Sequence, residues 1–172
     1  MIDLKEKIRN IPDFPVKGIQ FKDITTLLKD KEAFKYSIDE ITKYCSKYQI
    51  DYIAGIEARG FIIGAPVAYQ LGIGFLPIRK PEKLPSVVER VSYQLEYGEN
   101  ILEIHKDAIN NGEKVMVVDD LLATGGTTAA VFELIEKLGG KVMGASFIIE
   151  LEFLNPREKL EGYDIFSLVR YS

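Results

Sequence analysis

Apolar residues recur along this chain in two rhythms, one suited to helices and one to strands. Phe34, Ile38, Ile41, Cys45 and Tyr48 fall four, three, four and three residues apart, a single stripe that predicts a helix over Lys31–Gln49. Short unbroken apolar runs bounded by turn residues predict buried strands at Tyr52–Ile56, Ile73–Ile78, Val115–Val118, Val142–Ile149 and Ile165–Val169. Between them, Phe61–Leu71 reads as a helix that Pro66 either kinks or delays. Thr127–Leu138 reads as a helix closed by Gly139-Gly140, and Pro156–Leu160 as one or two helical turns. Val91, Tyr93, Leu95 and Tyr97 alternate with Ser92, Gln94 and Glu96 as in a half-buried strand. Gly98-Glu99-Asn100 would turn the chain, and Ile101–Ile104 would return as its partner. Two stretches keep neither rhythm: Pro12–Gly18 reads as a rigid turn, and Lys80–Val88, with Pro81, Pro85 and several charges, as a long mobile loop. Strands alternating with helices predict an α/β fold, a mostly parallel central sheet flanked by helices, with ligands at the carboxyl ends of the strands.

Composition narrows this picture. The 172 residues carry no repeat, low-complexity segment or Ser/Gly linker, so residues 1–172 form a single domain. A chain that is 47% hydrophobic and 28% charged is globular, not disordered. No apolar run is long enough for a membrane span, and the charged start of the chain has no apolar signal region, so a soluble cytoplasmic protein with no membrane partner is expected. A net charge of −4 argues against nucleic acid as a partner. A single cysteine, Cys45, excludes a disulfide framework and reads as a small core residue. A single histidine, His105, argues against a His-based metal site; it reads as a surface or strand-end residue without a role.

Chemistry concentrates in VMVVDDLLATGGTT, Val115–Thr128. An apolar strand delivers two carboxylates, Asp119 and Asp120, at its carboxyl end. Ala123, Thr124, Gly125, Gly126 and Thr127 then open a helix. Glycines let successive backbone N–H groups converge on an anion, the helix N-terminus adds its dipole, and threonine hydroxyls add donors. This is a phosphate cradle, and the preceding acids suit the vicinal hydroxyls of a ribose. A plain strand end followed by a glycine turn is the alternative. The chain has no G-x-x-x-x-G-K-[ST], and the residues after Gly72 and Gly74 do not complete G-x-G-x-x-G.

The same stretch resembles the signature of the type I phosphoribosyltransferases, which use 5-phosphoribosyl-1-pyrophosphate (PRPP). PDFPVKGIQFKDIT at Pro12–Thr25, GIEARG at Gly55–Gly60 and SYQLEYG at Ser92–Gly98 are similar to the adenine phosphoribosyltransferases within that family. The resemblance covers nearly the whole chain. It implies the type I fold, with a small base-binding hood from the terminal segments (residues 1–30) and a mobile catalytic loop and strand (residues 80–100). It implies transfer of ribose 5-phosphate from PRPP to N9 of adenine, giving AMP and pyrophosphate. It also implies a homodimer, and magnesium carried by PRPP instead of a protein metal site.

Residue by residue, the resemblance assigns the 5′-phosphate to Ala123–Thr127 and the ribose hydroxyls to Asp119 and Asp120. Arg59 would grip the pyrophosphate, and Lys83, with Lys80 nearby, would reach it as the loop closes. Glu96 corresponds to the catalytic acid near N7 or N9 of the base. Phe21 would stack on adenine, while the carbonyl of Gln20 and the amide of Lys22 read its edge. A non-proline cis peptide is expected near Glu57-Ala58. Each assignment has a plainer counterpart. Arg59 could be a surface ion-pair residue, Glu96 a solvated strand carboxylate, and Phe21, Tyr93 and Tyr97 core aromatics. Two other functions compete: transfer to a 6-oxopurine, which needs a side-chain donor such as lysine, and a PRPP-binding regulator without turnover.

Overall fold

The computed structural model describes residues 2–94 and 99–172. After a 3-10 turn at Lys5–Lys7 come two short strands, β1 (Arg9–Pro12) and β2 (Gln20–Asp23), paired antiparallel as a ribbon of their own. The sequence pattern did not predict this ribbon. Its residues are mostly exposed or half-buried, so no apolar alternation marks them. A short helix α1 (Thr25–Lys29), likewise unforeseen, leads into α2 (Lys31–Cys45). Asp30 caps α2 by accepting from the amides of Glu32 and Ala33, each at 3.1 Å. The stripe of Ile38, Ile41 and Cys45 is buried as expected. The helix stops at Cys45, short of the predicted end, and Tyr48 reaches back from the following turn to Tyr44, hydroxyl to hydroxyl at 3.0 Å.

Next come β3 (Tyr52–Ile56), α3 (Arg59–Leu71) and β4 (Gly74–Ile78). Pro66 lies inside α3, which begins at Arg59, before the expected start; it neither delays nor ends the helix. Then β5 (Val88–Gln94) and β6 (Glu99–His105) form a second antiparallel ribbon. Glu99 and Asn100, expected in a turn, are strand residues paired with Gln94 and Tyr93. Gly98, Leu95 and Tyr97 lie outside the described residues. The remaining elements are β7 (Lys114–Leu122), α4 (Gly126–Lys137), β8 (Lys141–Leu151) and β9 (Ile165–Tyr171), with a 3-10 turn at Pro156–Leu160. β7 runs past the predicted Val118 to Leu122, so Asp119 and Asp120 belong to the strand itself.

Five strands form one parallel sheet in the order β4-β3-β7-β8-β9. The alternation of β7 divides the core. Val115 and Val117 face a cluster with α4 and the β5–β6 ribbon, while Met116 and Val118 face one with α1, α2 and α3. From β3 the chain proceeds outward to β4, whereas β7, β8 and β9 build outward on the other side. The carboxyl ends of β3 and β7 therefore flank a topological switch point, where parallel sheets open a crevice for ligands.

Candidate active site

Beyond the end of β3 the chain crosses a cis Glu57–Ala58 peptide, where the resemblance placed one, and enters α3 at Arg59. The next residue has to be small. A Cβ on Gly60 would lie 2.9 Å from Asp119 Oδ1 and 3.1 Å from the Val118 carbonyl oxygen, so a glycine here lets α3 start against β7. Arg59 thereby reaches the acid pair, its Nε lying 3.0 Å from Asp120 Oδ2. Asp120 is buried. Its Oδ2 has no aligned hydrogen bond among the described residues, so the ion pair leaves an acceptor position unfilled. Asp119 Oδ1 accepts from the Asp120 amide at 2.8 Å. Burial, and then the charge of Asp120, push the Asp119 carboxyl well above the usual carboxylate range. Burial raises Asp120 too, against the opposing pull of the Arg59 guanidinium.

After β7 the chain turns through Ala123 and Thr124 to Gly125, which caps α4 in a left-handed conformation with φ of 79°. A side chain there would be strained, and it would collide with the carbonyl oxygen of Pro156 in the 3-10 turn. The helix starts at Gly126, and the leading amides of any helix lack intrahelical partners, so they face the space in front of it. Thr127 Oγ1 donates to the Tyr93 hydroxyl at 3.1 Å, tying the β5–β6 ribbon to the cradle. Tyr93 is thus a half-buried bridge as well as a packing residue.

At the other side stands the β1–β2 ribbon. Phe21 is half-buried, not a core residue. Its ring meets Phe14 edge-on, with centroids 5.1 Å apart, and lies 5.5 Å from the Arg59 guanidinium carbon. The Lys22 ammonium donates to Asn10 Oδ1 at 2.9 Å and sits 4.3 Å above the Tyr171 ring, so this side chain is engaged between the ribbon and the end of β9. The Gln20 side chain accepts from Asn10 Nδ2 at 2.6 Å. Residues two apart on a strand present their main-chain groups to the same side, so the Gln20 carbonyl and the Lys22 amide share one edge of β2.

Comparison with known proteins bears on this arrangement. The model of the phosphoribosyl transferase domain matches residues 25–164. An adenine phosphoribosyltransferase of Halothermothrix orenii is 60% identical over 169 residues, 98% of this chain and 99% of that protein. The chain belongs to the adenine phosphoribosyltransferase family. It is an enzyme of phosphoribosyl transfer, and adenine is the base in its relatives' name. The crystal structure of an adenine phosphoribosyltransferase from Thermoanaerobacter pseudethanolicus superposes with a TM-score of 0.95 at 56% identity, covering 98% of each chain. The adenine phosphoribosyltransferase of Saccharomyces cerevisiae, solved with an imino-altritol bisphosphate and adenine, has a TM-score of 0.90 at 39% identity over 96% of each chain.

Other residues foreseen for this phosphoribosyltransferase are less gathered. Lys80 and Lys83 are exposed on the loop after β4. The loop is moored by Glu57, which accepts from the Lys80 amide at 2.9 Å and from Arg79 Nε at 3.0 Å. Arg79 also donates to the Lys83 carbonyl at 3.3 Å. Glu96 lies outside the described residues. His105 is the last residue of β6, and its buried Nε2 finds no hydrogen bond among the described residues. Sequence reasoning gave no role to Glu57 or Arg79, although Glu57 sits in the GIEARG motif. It also passed over Lys159, whose Cβ lies 3.5 Å from the Cβ position of Gly125. No local pattern marks that lysine; only the fold brings it there.

Proposed function

We propose that this enzyme transfers the ribose 5-phosphate of PRPP to N9 of adenine, giving AMP and pyrophosphate, at the crevice between β3 and β7. One observation carries the reading: an acid pair of half-buried Asp119 and buried Asp120, an arginine across from it and a glycine-opened helix N-terminus share one edge of the sheet. Ala123, Thr124, Gly125, Gly126 and Thr127 take the 5′-phosphate on their amides and hydroxyls. Asp119 and Asp120 take the ribose hydroxyls, and the unfilled acceptor on Asp120 fits a hydroxyl donor. Arg59 trades its contact with Asp120 for the pyrophosphate, to which a guanidinium offers a bidentate fork. As the bond to pyrophosphate breaks, positive charge gathers on the ribose and negative charge on the leaving group. The carboxylates stabilise the first, and Arg59 with Lys83 the second. Phe21 stacks on adenine; the Gln20 carbonyl and Lys22 amide read it, since the Lys22 ammonium is already engaged. The loop carrying Lys80 and Lys83 closes over the substrates, brings Glu96 to the base and excludes water.

Magnesium enters with PRPP. Asp119 and Asp120 are hard oxygen donors of the kind it takes, directly or through water, and the bound ion would neutralise pyrophosphate charge. Residues 1–30 act as the hood over the base in a single domain. The enzyme works in the cytoplasm as a homodimer. Buried, unpaired Cys45 suits a reducing compartment, and exposed Ile62 and Tyr69, seven residues apart on α3, offer an apolar face to a second copy. The deciding assay offers adenine, hypoxanthine, guanine and xanthine with PRPP and magnesium. AMP formation with adenine alone is expected. Turnover of a 6-oxopurine in its place would overturn the base assignment, and PRPP binding without turnover would leave a regulator.

A further inference from the structure

We infer that Lys159 is the cationic side chain of the phosphate cradle and donates to the 5′-phosphate of PRPP and AMP. The inference adds one residue to the cradle proposed above and rests on that reading. Gly126 opens α4 without a side chain. Around the point where its Cβ would lie stand Thr124 Oγ1 at 3.7 Å, Lys159 Nζ at 3.9 Å and the Tyr93 ring at 3.9 Å. A hydroxyl and an ammonium thus converge on one small space before the first turn of a helix. Alone, that is a poor place for an ammonium, because the first turn is the positive end of the helix dipole. A doubly charged anion between them serves the ammonium, the hydroxyl and the amides together.

The segment that carries Lys159 is fixed in place. Pro156 and Leu160 are buried at the two ends of its 3-10 turn. Arg157 donates through Nε and Nη2 to the two oxygens of Glu150, at 2.7 and 2.8 Å, and Glu150 is itself buried. The Pro156 carbonyl fills the space that a side chain on Gly125 would need, and the Lys159 stem starts against the same residue. The ammonium is therefore delivered to the cradle by the far end of the chain. Its compact charge and rotatable donors suit a phosphate that must also be released.

The test compares AMP with adenosine, which lacks the phosphate. Lys159→Met keeps the stem and removes the charge. It is expected to raise the Kd for AMP and the KM for PRPP about 10- to 100-fold, the loss of one charge-assisted hydrogen bond. Adenosine affinity, the KM for adenine and the melting temperature should stay at wild-type values, and Lys159→Arg should recover most of the AMP affinity. Thr127→Val tests the cradle separately. If Thr127→Val weakens AMP but Lys159→Met does not, Lys159 is a surface lysine and this inference fails alone. If neither discriminates AMP from adenosine, the cradle reading fails with it. A loss shared equally by AMP and adenosine would mark a structural effect and also overturn the inference.

Discussion

Asp120 is pulled in two directions, upward in pKa by burial and downward by the Arg59 guanidinium. Removing the cation should leave the upward influence of burial opposed only by the hydrogen bonds the carboxyl accepts nearby. In Arg59→Met, the acid limb of kcat/KM for PRPP should therefore move to higher pH, whatever the loss in absolute rate; a limb that stays in place would uncouple the pair. Asp119→Asn and Asp120→Asn should each cost roughly 1.5–3 kcal/mol in PRPP use, measured as kcat/KM, because each removes a charged acceptor. Lys22→Ala should keep the preference for adenine over hypoxanthine, since its ammonium is held by Asn10 and Tyr171. At this scale the sequence was most legible where neighbours in space are neighbours in the chain, as from Asp119 to Thr127. Glu57, Arg79 and Lys159 were hidden because their roles come from contacts that no local spacing encodes.

Among the elements, two carry consequences for the site. The β5–β6 ribbon packs on α4, touches the cradle through Tyr93, and leads into the stretch that holds Glu96. If Glu96 transfers a proton to the base, Glu96→Gln should lower kcat by roughly 10²–10⁴. Glu96→Leu should be worse, and near-wild-type turnover in Leu would make it a solvated carboxylate. The 3-10 turn at Pro156–Leu160 depends on Glu150, whose carboxyl is held below the usual range, first by its bond to Arg157. A lowered carboxyl stabilises the fold above its unfolded-state pKa, and that contribution fades as pH falls through the folded value. Arg157→Ala should thus lower the melting temperature at neutral pH, and the gap to wild type should narrow in acid. Elements that bury an apolar face were legible: α2, β3 and β7 follow from their stripes and runs. The β1–β2 ribbon buries little, so its alternation is absent and its prolines read as a turn.

For the molecule as a whole, the site is a convergence. The hairpin near the start of the chain, the β3–α3 and β7–α4 junctions and the Pro156–Leu160 turn meet at one edge of the sheet. Alternating strands and helices made the sheet and its carboxyl-edge site foreseeable, whereas strand order had to come from the structure. The whole molecule is also where pairing of copies is tested. Tyr69→Glu, changing an exposed aromatic next to Ile62 on the surface of α3, should shift the sedimentation of a dimer toward monomer. An unchanged profile would place the interface elsewhere.

The slight burial of the β1–β2 ribbon has an evolutionary consequence. In the proposed reading Gln20, Phe21 and Lys22 choose the base, yet none of them belongs to either core cluster. That reading writes selectivity for the acceptor on an appendage and the sugar–phosphate chemistry into the sheet that holds the protein together. Such a division lets lineages explore new acceptors at small risk to folding. A library randomised over residues 10–22 should accordingly keep far more folded members than one randomised over residues 115–118, and sorting it on other bases is the natural route to altered specificity.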